Sequence, residues 1–262
     1  MILSVVIPCF NREASIRDAV KSVLSQSEVN ISIEVIVVDD GSTDKSLEMI
    51  SDLDIKILST GGRKGACAAR NIGIASAKGN WIAFNDSDDF WRADKVEKIF
   101  SQFANKINDV EYIVHSFARG VNSYFTIHGN LNGGCQYLEK APTLSKLLKK
   151  NFVSTQCLLV RKDALISIGL FDENLPRFQD WEVAIRLAEK YRGYYIDDML
   201  SICIESHGSI STGFDKGIFS REYILEKHYS NYKANFVAMI KFRFDLLIRK
   251  LVLSLRQGSK VK

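Results

Sequence analysis

The chain has 262 residues, of which 46% are hydrophobic and 25% charged, the composition of a soluble globular protein with one large domain or two small ones. No run of about 18 apolar residues occurs, and the N-terminus lacks the basic start and cleavage site of a signal peptide, so neither a membrane span nor secretion is expected. The five cysteines are scattered without a Cys-x-x-Cys pair, which favours a reducing cytoplasm and argues against a zinc site or disulfide framework.

The first hundred residues alternate apolar strands with helices. Strands are predicted at Leu3–Ile7, Glu34–Val38, Ile55–Leu58 and Trp81–Asn85. Helices are predicted at about Phe10–Ser25, Lys45–Ser51, Cys67–Ala77 and Asp94–Phe100. This alternation indicates parallel βαβ units with right-handed crossovers, and therefore an α/β fold with a mostly parallel sheet flanked by helices.

The pattern is weaker after residue 108. Strands are predicted at Glu111–Ser116, Tyr124–His128 and Ser154–Val160, with a turn-rich loop at Gly129–Gly134. Helices are predicted at Thr143–Lys149 and Trp181–Lys190, and one or two more in the last 40 residues.

Charge divides the chain at about residue 215. Residues 216–262 contain eleven Lys or Arg and three Asp or Glu, a net charge of +8, which leaves −4 on residues 1–215. This asymmetry predicts an acidic main domain over 1–215 and a basic tail over 216–262 that meets an anionic surface.

Three carboxylates follow the fourth predicted strand, in the stretch Asp86-Ser87-Asp88-Asp89. Open α/β folds bind ligands at the carboxyl ends of their strands, where Asp86 and Asp88 would lie. Crowded carboxylates repel each other unless a cation lies among them, and Mg²⁺ or Mn²⁺ accepts one or two carboxylates together with substrate phosphates. The alternative is a solvated turn whose aspartates cap the next helix.

A second acidic strand end, Asp39-Asp40, would converge on the same crevice. A carboxylate there can accept a hydrogen bond from a base or ribose, and Phe10 could stack on the base. The segment Gly61–Gly65 suits close approach to phosphate but matches neither the P-loop nor the dinucleotide-binding pattern. The alternatives are a turn with a helix cap for Asp39-Asp40 and a core aromatic for Phe10.

Four stretches in this order and spacing resemble the family 2 inverting glycosyltransferases of the GT-A fold. They are Ser4-Val5-Val6-Ile7-Pro8-Cys9-Phe10-Asn11, Glu34-Val35-Ile36-Val37-Val38-Asp39-Asp40-Gly41-Ser42-Thr43-Asp44, Gly65-Ala66-Cys67-Ala68-Ala69-Arg70-Asn71-Ile72-Gly73 and Asp86-Ser87-Asp88-Asp89-Phe90-Trp91. The resemblance implies a nucleotide-sugar donor and a divalent metal, Mn²⁺ or Mg²⁺, on the Asp-x-Asp motif.

The resemblance also implies roles for individual residues. It places Asp88 on the metal, Asp86 near the ribose or the metal, and Phe10 and Asp40 at the base. The donor nucleotide site would comprise Pro8, Phe10, Asn11, Asp40, Gly65, Arg70, Asp86 and Ser87. Residues 1–108 would then be the nucleotide-sugar half and residues 109–215 the acceptor half.

Two further segments resemble the family less closely. Phe178-Gln179-Asp180-Trp181 resembles an acidic helix start, usually Glu-Asp, whose Asp is the catalytic base, which points to Asp180. The alternative for Asp180 is an acid favoured at a helix N-terminus by the helix dipole. His207 lies in a segment from which a histidine can approach the metal and diphosphate, and its alternative is a structural histidine.

The expected reaction is a single displacement that inverts the anomeric centre, with a glycan or lipid-linked acceptor in surface polysaccharide synthesis. We expect a UDP-linked donor, a cytoplasmic enzyme on the inner face of the membrane, and no nucleic-acid partner. The alternatives are a non-catalytic binding protein of the same fold that docks through its basic tail, and a nucleotidyltransferase. The latter would want a glycine-rich basic loop after the first strand, where Pro8-Cys9-Phe10-Asn11 stands instead.

The predicted C-terminal helix carries an apolar stripe at three- and four-residue steps: Phe236, Ile240, Phe244, Leu247, Leu251 and Leu255. Lys241, Asp245, Arg249 and Arg256 fall on the opposite side. Either this stripe packs on the domain and leaves a solvated basic face, or the helix lies in the interface of an anionic membrane.

Overall fold

The computed structural model describes residues 1–26, 30–103, 107–121, 124–128, 143–204 and 214–258. Its first part confirms the alternation of strands and helices. The strands are β1 (Ile2–Cys9), β2 (Ser32–Asp39), β3 (Lys56–Ser59), β4 (Trp81–Phe84) and the short β5 (Phe90–Trp91), and the helices are α1 (Ile16–Leu24), α2 (Ala66–Ser76) and α3 (Lys95–Phe103).

The second part continues with strands β6 (Tyr112–Val121), β7 (Tyr124–His128), β8 (Leu158–Arg161) and β9 (Gly193–Ile204). Its helices are the short α4 (Leu144–Leu147) and α5 (Lys162–Ser167), then α6 (Gln179–Lys190), α7 (Phe214–Lys227), α8 (Tyr229–Ala234) and α9 (Phe236–Gly258).

Within the described residues, the nine strands form one sheet in the order β3-β2-β1-β4-β8-β6-β9-β5, with β7 paired to β6. The strands β1 to β4 are mutually parallel, and β8 joins them to the second half by antiparallel pairing with both β4 and β6. Because β1, β2 and β4 run in the same direction, the loops after them open at one edge of the sheet.

The sheet has an apolar core on each face, as its parallel strands require. On β1, the side chains of Val5 and Ile7 join one core and that of Val6 joins the other, following the two-residue period of a strand. Helix α2 lies close to β1 at Gly73, where a Cβ atom would come within 2.4 Å of Val6 Cγ1. Any larger residue at this position would push α2 away from the sheet.

Two predicted helices near the N-terminus were wrong in extent. The first begins at Ile16 instead of Phe10, and the segment predicted as a helix from Lys45 forms only a 3₁₀ turn at Glu48–Ile50. The two segments bond to each other: the Arg12 N–H donates to Ser46 Oγ over 2.7 Å, and the Glu13 N–H donates to Asp44 over 3.0 Å. Side-chain acceptors of this kind compete with helical hydrogen bonds.

In the second half, too, the observed secondary structure differs from the predicted one. The strand predicted over Ser154–Val160 is a 3₁₀ turn at Thr155–Cys157 followed by β8, and the strand β9 and the helix α5 were not predicted from the sequence. In the first half, the short strand β5 was also not predicted. The loop predicted at Gly129–Gly134 lies outside the described residues.

The C-terminal helices pack on α6 through side chains that the sequence analysis did not select. Phe242 of α9 contacts Trp181 of α6 and Tyr232 of α8, with ring centroids 5.7 and 4.9 Å away. The buried side chains of α9 are Ala238, Met239, Phe242 and Leu246. The predicted apolar stripe is therefore not the packing face: Phe236, Ile240, Phe244, Leu247, Leu251 and Leu255 are each between 53% and 73% exposed. No described helix is both long enough and apolar enough to cross a membrane.

Candidate active site

The loops after β1 and β2 are tied together by Asn11. Its backbone N–H donates to Ser42 Oγ over 3.0 Å, and its Oδ1 accepts from the Thr43 N–H over 2.8 Å. Asn11 has a φ of 50°, a left-handed conformation that asparagine tolerates better than most residues. These bonds fix the loop that carries Phe10, whose ring is covered by the guanidinium of Arg63, with Cζ 4.4 Å from the ring centroid.

Asp40 connects the end of β2 to the glycine-rich loop. Its Oδ1 accepts from the Lys64 N–H and Thr60 Oγ1, and its Oδ2 accepts from the Gly65 N–H, each over 2.8 Å. Gly65, with φ 91°, is the residue before α2, so Asp40 positions the start of that helix. The carboxylate is thus already engaged on both oxygens, and a contact with a base would use their remaining lone pairs.

Arg70, on α2, brings the two halves of the chain together. Its guanidinium is nearly buried, and it donates to Asp86 Oδ1 over 2.7 Å and to Gln179 Oε1 over 3.0 Å. The amide of Gln179 in turn donates to the Leu175 carbonyl over 2.9 Å. Gln179 thus both accepts and donates, which a carboxylate at this position could not do. The replacement of the usual Glu by Gln therefore has a structural reason.

Asp86 and Asp88 lie at the same edge of the sheet, directly after β4. The Asp86 side chain is 34% exposed, and Asp88 Oδ2 lies 3.5 Å from Arg12 Nε in the loop after β1. Ser87, between them, is buried, and its carbonyl accepts from Ser15 Oγ over 2.9 Å.

The third carboxylate of the cluster, Asp89, is buried and points away from this edge. Its Oδ1 accepts from the Ile204 N–H over 2.8 Å, and its Oδ2 accepts from the Gln156 side chain over 2.5 Å. Asp89 thereby joins the loop after β4 to the ends of β8 and β9. The sequence shows three similar aspartates, but only Asp86 and Asp88 lie at the edge of the sheet where the loops gather.

Asp180 lies in the first turn of α6 and is partly buried. Its Oδ1 accepts from the Trp181 N–H over 2.7 Å and from Asn151 Nδ2 over 3.3 Å. Burial, reinforced by the negative charge of Asp86, raises the pKa of Asp180 to about 6, although its hydrogen bonds and the charge of Arg70 act in the opposite direction. A carboxylate with such a pKa is charged at neutral pH and a stronger base than an exposed aspartate.

Two predicted site residues remain, Pro8 and His207. Pro8 lies in β1, at the level of Val38 on β2, and so belongs to the same edge of the sheet. His207 lies outside the described residues, so its predicted approach to the metal stays a prediction.

The residues present suit a divalent cation of the Mg²⁺ or Mn²⁺ type. No group of three His, Cys, Asp or Glu capable of holding a metal occurs among the described residues, but Mg²⁺ commonly takes one or two carboxylates and completes its coordination with substrate phosphates. Asp88 and Asp86 offer hard oxygen ligands at this edge of the sheet. Arg12 pairs with Asp88 and Arg70 pairs with Asp86, so a metal ion would compete with these two arginines for the carboxylates.

Sequence reasoning missed two residues of this region, Arg12 and Asn151, and it missed the linking role of Gln179. Arg12 directly follows the Pro8–Asn11 stretch, so its position in the loop after β1 was a usable signal. Asn151 carried no signal, because its contact with Asp180 depends on how the segment before β8 approaches α6.

Comparison with known proteins shows where similar sequences occur. Residues 4–169 match the family model described as glycosyl transferase family 2. A 102-residue stretch is 44% identical to an uncharacterized glycosyltransferase of Haemophilus influenzae, and covers 37% of this chain and 40% of that protein. A 166-residue stretch is 35% identical to Escherichia coli WfgD, a UDP-Glc:alpha-D-GlcNAc-diphosphoundecaprenol beta-1,3-glucosyltransferase, and covers 62% of this chain and 60% of that one. The matches thus span less than two thirds of these two relatives.

Solved structures share the fold. Staphylococcus aureus TarS residues 1–349 in complex with UDP-GlcNAc superposes with a TM-score of 0.68 at 20% identity, over 86% of this chain and 67% of that one. The mannosyltransferase PcManGT of Pyrobaculum calidifontis, in complex with GDP-Man and Mn²⁺, gives a TM-score of 0.66 at 16% identity, over 98% of this chain and 75% of that one. At these identities the similarity is one of fold.

Proposed function

The chain belongs to glycosyl transferase family 2, and we propose on this basis that it transfers a sugar, with inversion, from a UDP-linked donor to a glycan or lipid-linked acceptor in surface polysaccharide synthesis. The observation that carries the proposal is the junction at Arg70. Through it, Asp86 of the acidic strand end and the helix that begins at Gln179-Asp180 are held side by side. The proposed nucleotide-sugar half and acceptor half would thus meet at one guanidinium.

We assign donor binding to the edge of the sheet where β1, β2 and β4 end. Phe10 would stack on the base, Asp40 and Asn11 would hold the loops around it, and Asp86 would accept from the ribose. Two findings support a UDP donor: E. coli WfgD is named for UDP-Glc, and TarS was solved with UDP-GlcNAc. They concern those proteins, so the nucleotide is a proposal for this chain.

Asp88 and Asp86 would hold a divalent cation together with the donor diphosphate. When bound, this cation neutralises the charge that develops on the leaving nucleoside diphosphate. The chain's own contribution is to hold the two carboxylates at the opening through Arg12 and Arg70. A Mn²⁺ ion accompanies GDP-Man in the similar PcManGT structure, which supports the choice of metal.

Asp180 would be the general base. Its pKa of about 6 leaves it ionised at neutral pH, and the charge of Asp86 acts on it, which supports a place for Asp180 near the sugar end of the donor. The acceptor hydroxyl would give its proton to Asp180 as its oxygen attacks the anomeric carbon, and the nucleoside diphosphate would leave from the opposite face. One such displacement inverts the configuration and requires no protein nucleophile.

The acceptor would be presented at an anionic membrane surface by α9. Its outward side chains include Phe236, Phe244 and Leu255, which are 73%, 63% and 73% exposed. Exposed Lys241, Arg243 and Lys250 flank this stripe, and the tail as a whole carries a net charge of +8. A helix with an apolar face and basic flanks is suited to the interface of an anionic leaflet. We accordingly propose residues 1–215 as the catalytic domain and 216–262 as the docking tail.

Donor hydrolysis and transfer test the proposal. The full chain is incubated with UDP-, GDP- and dTDP-sugars, with Mn²⁺ or with a chelator, and release of nucleoside diphosphate is measured with and without a lipid-linked diphosphate acceptor. We expect release from a UDP-sugar that needs the metal and increases with acceptor. Tight donor binding without release would indicate a non-catalytic binding protein, and release of inorganic diphosphate from a sugar phosphate and UTP would indicate a nucleotidyltransferase.

A further inference from the structure

Phe10 is an aromatic residue that packs into neither of the two apolar cores of the described chain. It directly follows β1, so its ring lies at the edge of the sheet to which we assign the donor. The side chain is partly buried, and the neighbour over its ring is a cation: the guanidinium Cζ of Arg63 lies 4.4 Å from the ring centroid. Within the described residues, a charged group thus covers a ring that apolar packing does not.

Arg63 reaches this ring from a different loop, the glycine-rich one after β3. Asp40 holds that loop on both sides of Arg63, because it accepts hydrogen bonds from Thr60 Oγ1 and from the Lys64 N–H, each over 2.8 Å. The side chain of Arg63 then passes Gly41, where a Cβ atom would lie 3.8 Å from Arg63 Cγ. Arg63 therefore extends from the loop after β3, past the end of β2, to the residue that follows β1.

The guanidinium of Arg63 has no second partner in the part of the chain that the structure describes. It is exposed, and it forms neither an ion pair nor a hydrogen bond with a described residue. Arg12 and Arg70, at the same edge of the sheet, each pair with a carboxylate. A guanidinium over a ring at an exposed site is a weak contact. A ligand can therefore move Arg63 away from Phe10 without breaking an ion pair.

A planar cation opposite an aromatic ring is a suitable enclosure for a nucleobase. Bases stack both on aromatic side chains and on the plane of a guanidinium group. The guanidinium is also weakly hydrated, so covering one of its faces costs little. A base that enters between the two groups replaces one weak contact by two stacking contacts. The space requires the Arg63 side chain to move outward by about 3.5–4 Å, the van der Waals thickness of a ring.

We propose that Arg63 completes the base site, so that the base of the donor lies between the Phe10 ring and the Arg63 guanidinium. The inference rests on the proposed function, which places the base on Phe10, and it adds a binding residue on the opposite face. Every base has a face that can stack, so Arg63 adds affinity without choosing the base. The choice then falls to groups that bond to the edge of the base, of which Asp40 is the candidate.

Nucleotide titration of the full chain tests the proposal. The affinity for UDP is measured by calorimetry with Mn²⁺ present, and the affinity for uridine by its displacement of UDP. Arg63→Gln removes the guanidinium and its charge, whereas Arg63→Lys keeps the charge without the plane. The matched control is Lys45→Gln, which removes an exposed positive charge from the loop after β2. We expect both Arg63 variants to bind UDP and uridine about tenfold more weakly, and the control to bind like the wild type.

A third variant separates stacking from charge. Arg63→Tyr replaces the guanidinium plane by an aromatic one without a positive charge, so it should bind UDP and uridine more tightly than Arg63→Gln and Arg63→Lys do. Because Arg63 is exposed, none of the three variants should change the midpoint of thermal unfolding, which is measured alongside. A loss of affinity at an unchanged midpoint assigns the effect to binding and not to folding.

Three results would overturn the proposal. Wild-type affinity in Arg63→Lys would show that only the charge matters. Weaker binding of UDP with unchanged binding of uridine would place Arg63 on the phosphates. Tighter binding in Arg63→Gln would show that Arg63 obstructs the base site.

The remaining outcomes separate this residue from the proposed function. If uridine and UDP bind through Arg63 but the chain releases no nucleotide from any sugar donor, the base site stands and the transferase proposal fails. If GDP binds in place of UDP with the same dependence on Arg63, the base site stands and the choice of UDP fails. Donor hydrolysis with nucleotide affinity independent of Arg63 would refute the inference alone, and a chain that binds no nucleotide would refute both.

Discussion

Arg70 Nη1 donates to Gln179 Oε1 over 3.0 Å, across 109 residues of sequence. The same guanidinium holds Asp86 over 2.7 Å, so helix α2 fixes the distance between the acidic strand end and the first turn of α6. Because Arg70 is nearly buried and one guanidinium makes both hydrogen bonds, the arrangement tolerates little movement. The position of Asp86 relative to the start of α6 thus depends on a buried side chain.

Replacement of Asp180 by Asn tests its role as base. We expect kcat to fall by about two to four orders of magnitude with little change in UDP affinity, because the lost step concerns the acceptor hydroxyl. In the wild type, kcat should rise with pH through an apparent pKa of about 6 and then level off. Steady-state kinetics between pH 5 and 8 measure both. Loss of UDP affinity with kcat preserved would move Asp180 to the donor site.

The same substitution should stabilise the fold. The pKa of Asp180 is higher in the folded chain than in an exposed aspartate, so the folded chain holds more protons between about pH 4 and 6, and the contribution of Asp180 to stability falls as pH rises through this range. At pH 7 its charge is therefore unfavourable, and Asp180→Asn should raise the free energy of unfolding by about 1–3 kcal/mol. Urea unfolding at pH 7 checks this, and an unchanged or lower stability would contradict the raised pKa.

Two neighbouring carboxylates should respond differently to removal. Asp88→Ala should abolish metal-dependent donor binding while lowering the free energy of unfolding by no more than about 1 kcal/mol, since its contact with Arg12 is a partly exposed ion pair. Asp89→Ala should instead cost about 2–4 kcal/mol, because it removes the acceptor of the Ile204 N–H and one of the two acceptors of the buried Gln156 amide.

Thermal unfolding and UDP titration with Mn²⁺ separate these two effects. Full Mn²⁺-dependent activity in Asp88→Ala would refute the metal assignment. A stable Asp89→Ala variant would show that its buried bonds contribute little.

The exposed stripe of α9 should be required for membrane binding but not for folding. Truncation before α9 would remove Phe242 from its contacts with Trp181 and Tyr232, so point substitutions are the better test. The double variant Phe244→Glu, Leu251→Glu should bind vesicles of phosphatidylglycerol and phosphatidylcholine at least tenfold more weakly, with an unchanged unfolding midpoint.

A matched control for this experiment is Ile166→Glu on α5, since Ile166 is 56% exposed and Leu251 is 55% exposed. Co-sedimentation at low and high salt measures the binding. Equal losses in the control and in the double variant would show that the effect is general repulsion of negative charge, and equal binding by all proteins would exclude the stripe.

Lys95 should make stability depend on pH near neutrality. Its side chain is fully buried, donates to the Gln156 carbonyl and to Ser201 Oγ, and lies over the Trp91 ring. Burial lowers the pKa of Lys95 to about 7. Above pH 7 the unfolded chain therefore holds more protons at this residue than the folded chain does, and the free energy of unfolding should rise with pH, by up to about 1.4 kcal/mol per unit. Below pH 7 the free energy of unfolding does not rise in this way, because Lys95 is protonated in both the folded and the unfolded chain.

The comparison with Lys95→Met isolates this effect from the other groups that titrate in the same range. Urea unfolding between pH 6.5 and 8.5 should show a smaller slope in the variant than in the wild type. Parallel slopes would show that Lys95 stays charged when buried.

The sequence alone determined the architecture of the first hundred residues and the location of the acidic strand end. Buried parallel strands are apolar throughout, as in Val35–Val38, and the polar residues that interrupt them mark the edge where loops gather. This is local information, so β1, β2, β4 and α2 were predicted to within one or two residues. Where neighbouring segments bond to each other, as Asp44 and Ser46 do to the loop after β1, the predicted helix was wrong.

Tertiary structure decided which of several similar residues lies where. Asp86, Asp88 and Asp89 are alike in sequence, but only the pairing of β5 with β9 turns Asp89 toward Gln156 and Ile204. Helix α9 is apolar over much of its circumference, and periodicity cannot tell which part the domain will cover. The domain covers the side bearing Phe242, because that side meets the aromatic rings of α6 and α8. The contact between Arg70 and Gln179 likewise joins residues far apart in the chain, and no local pattern records it.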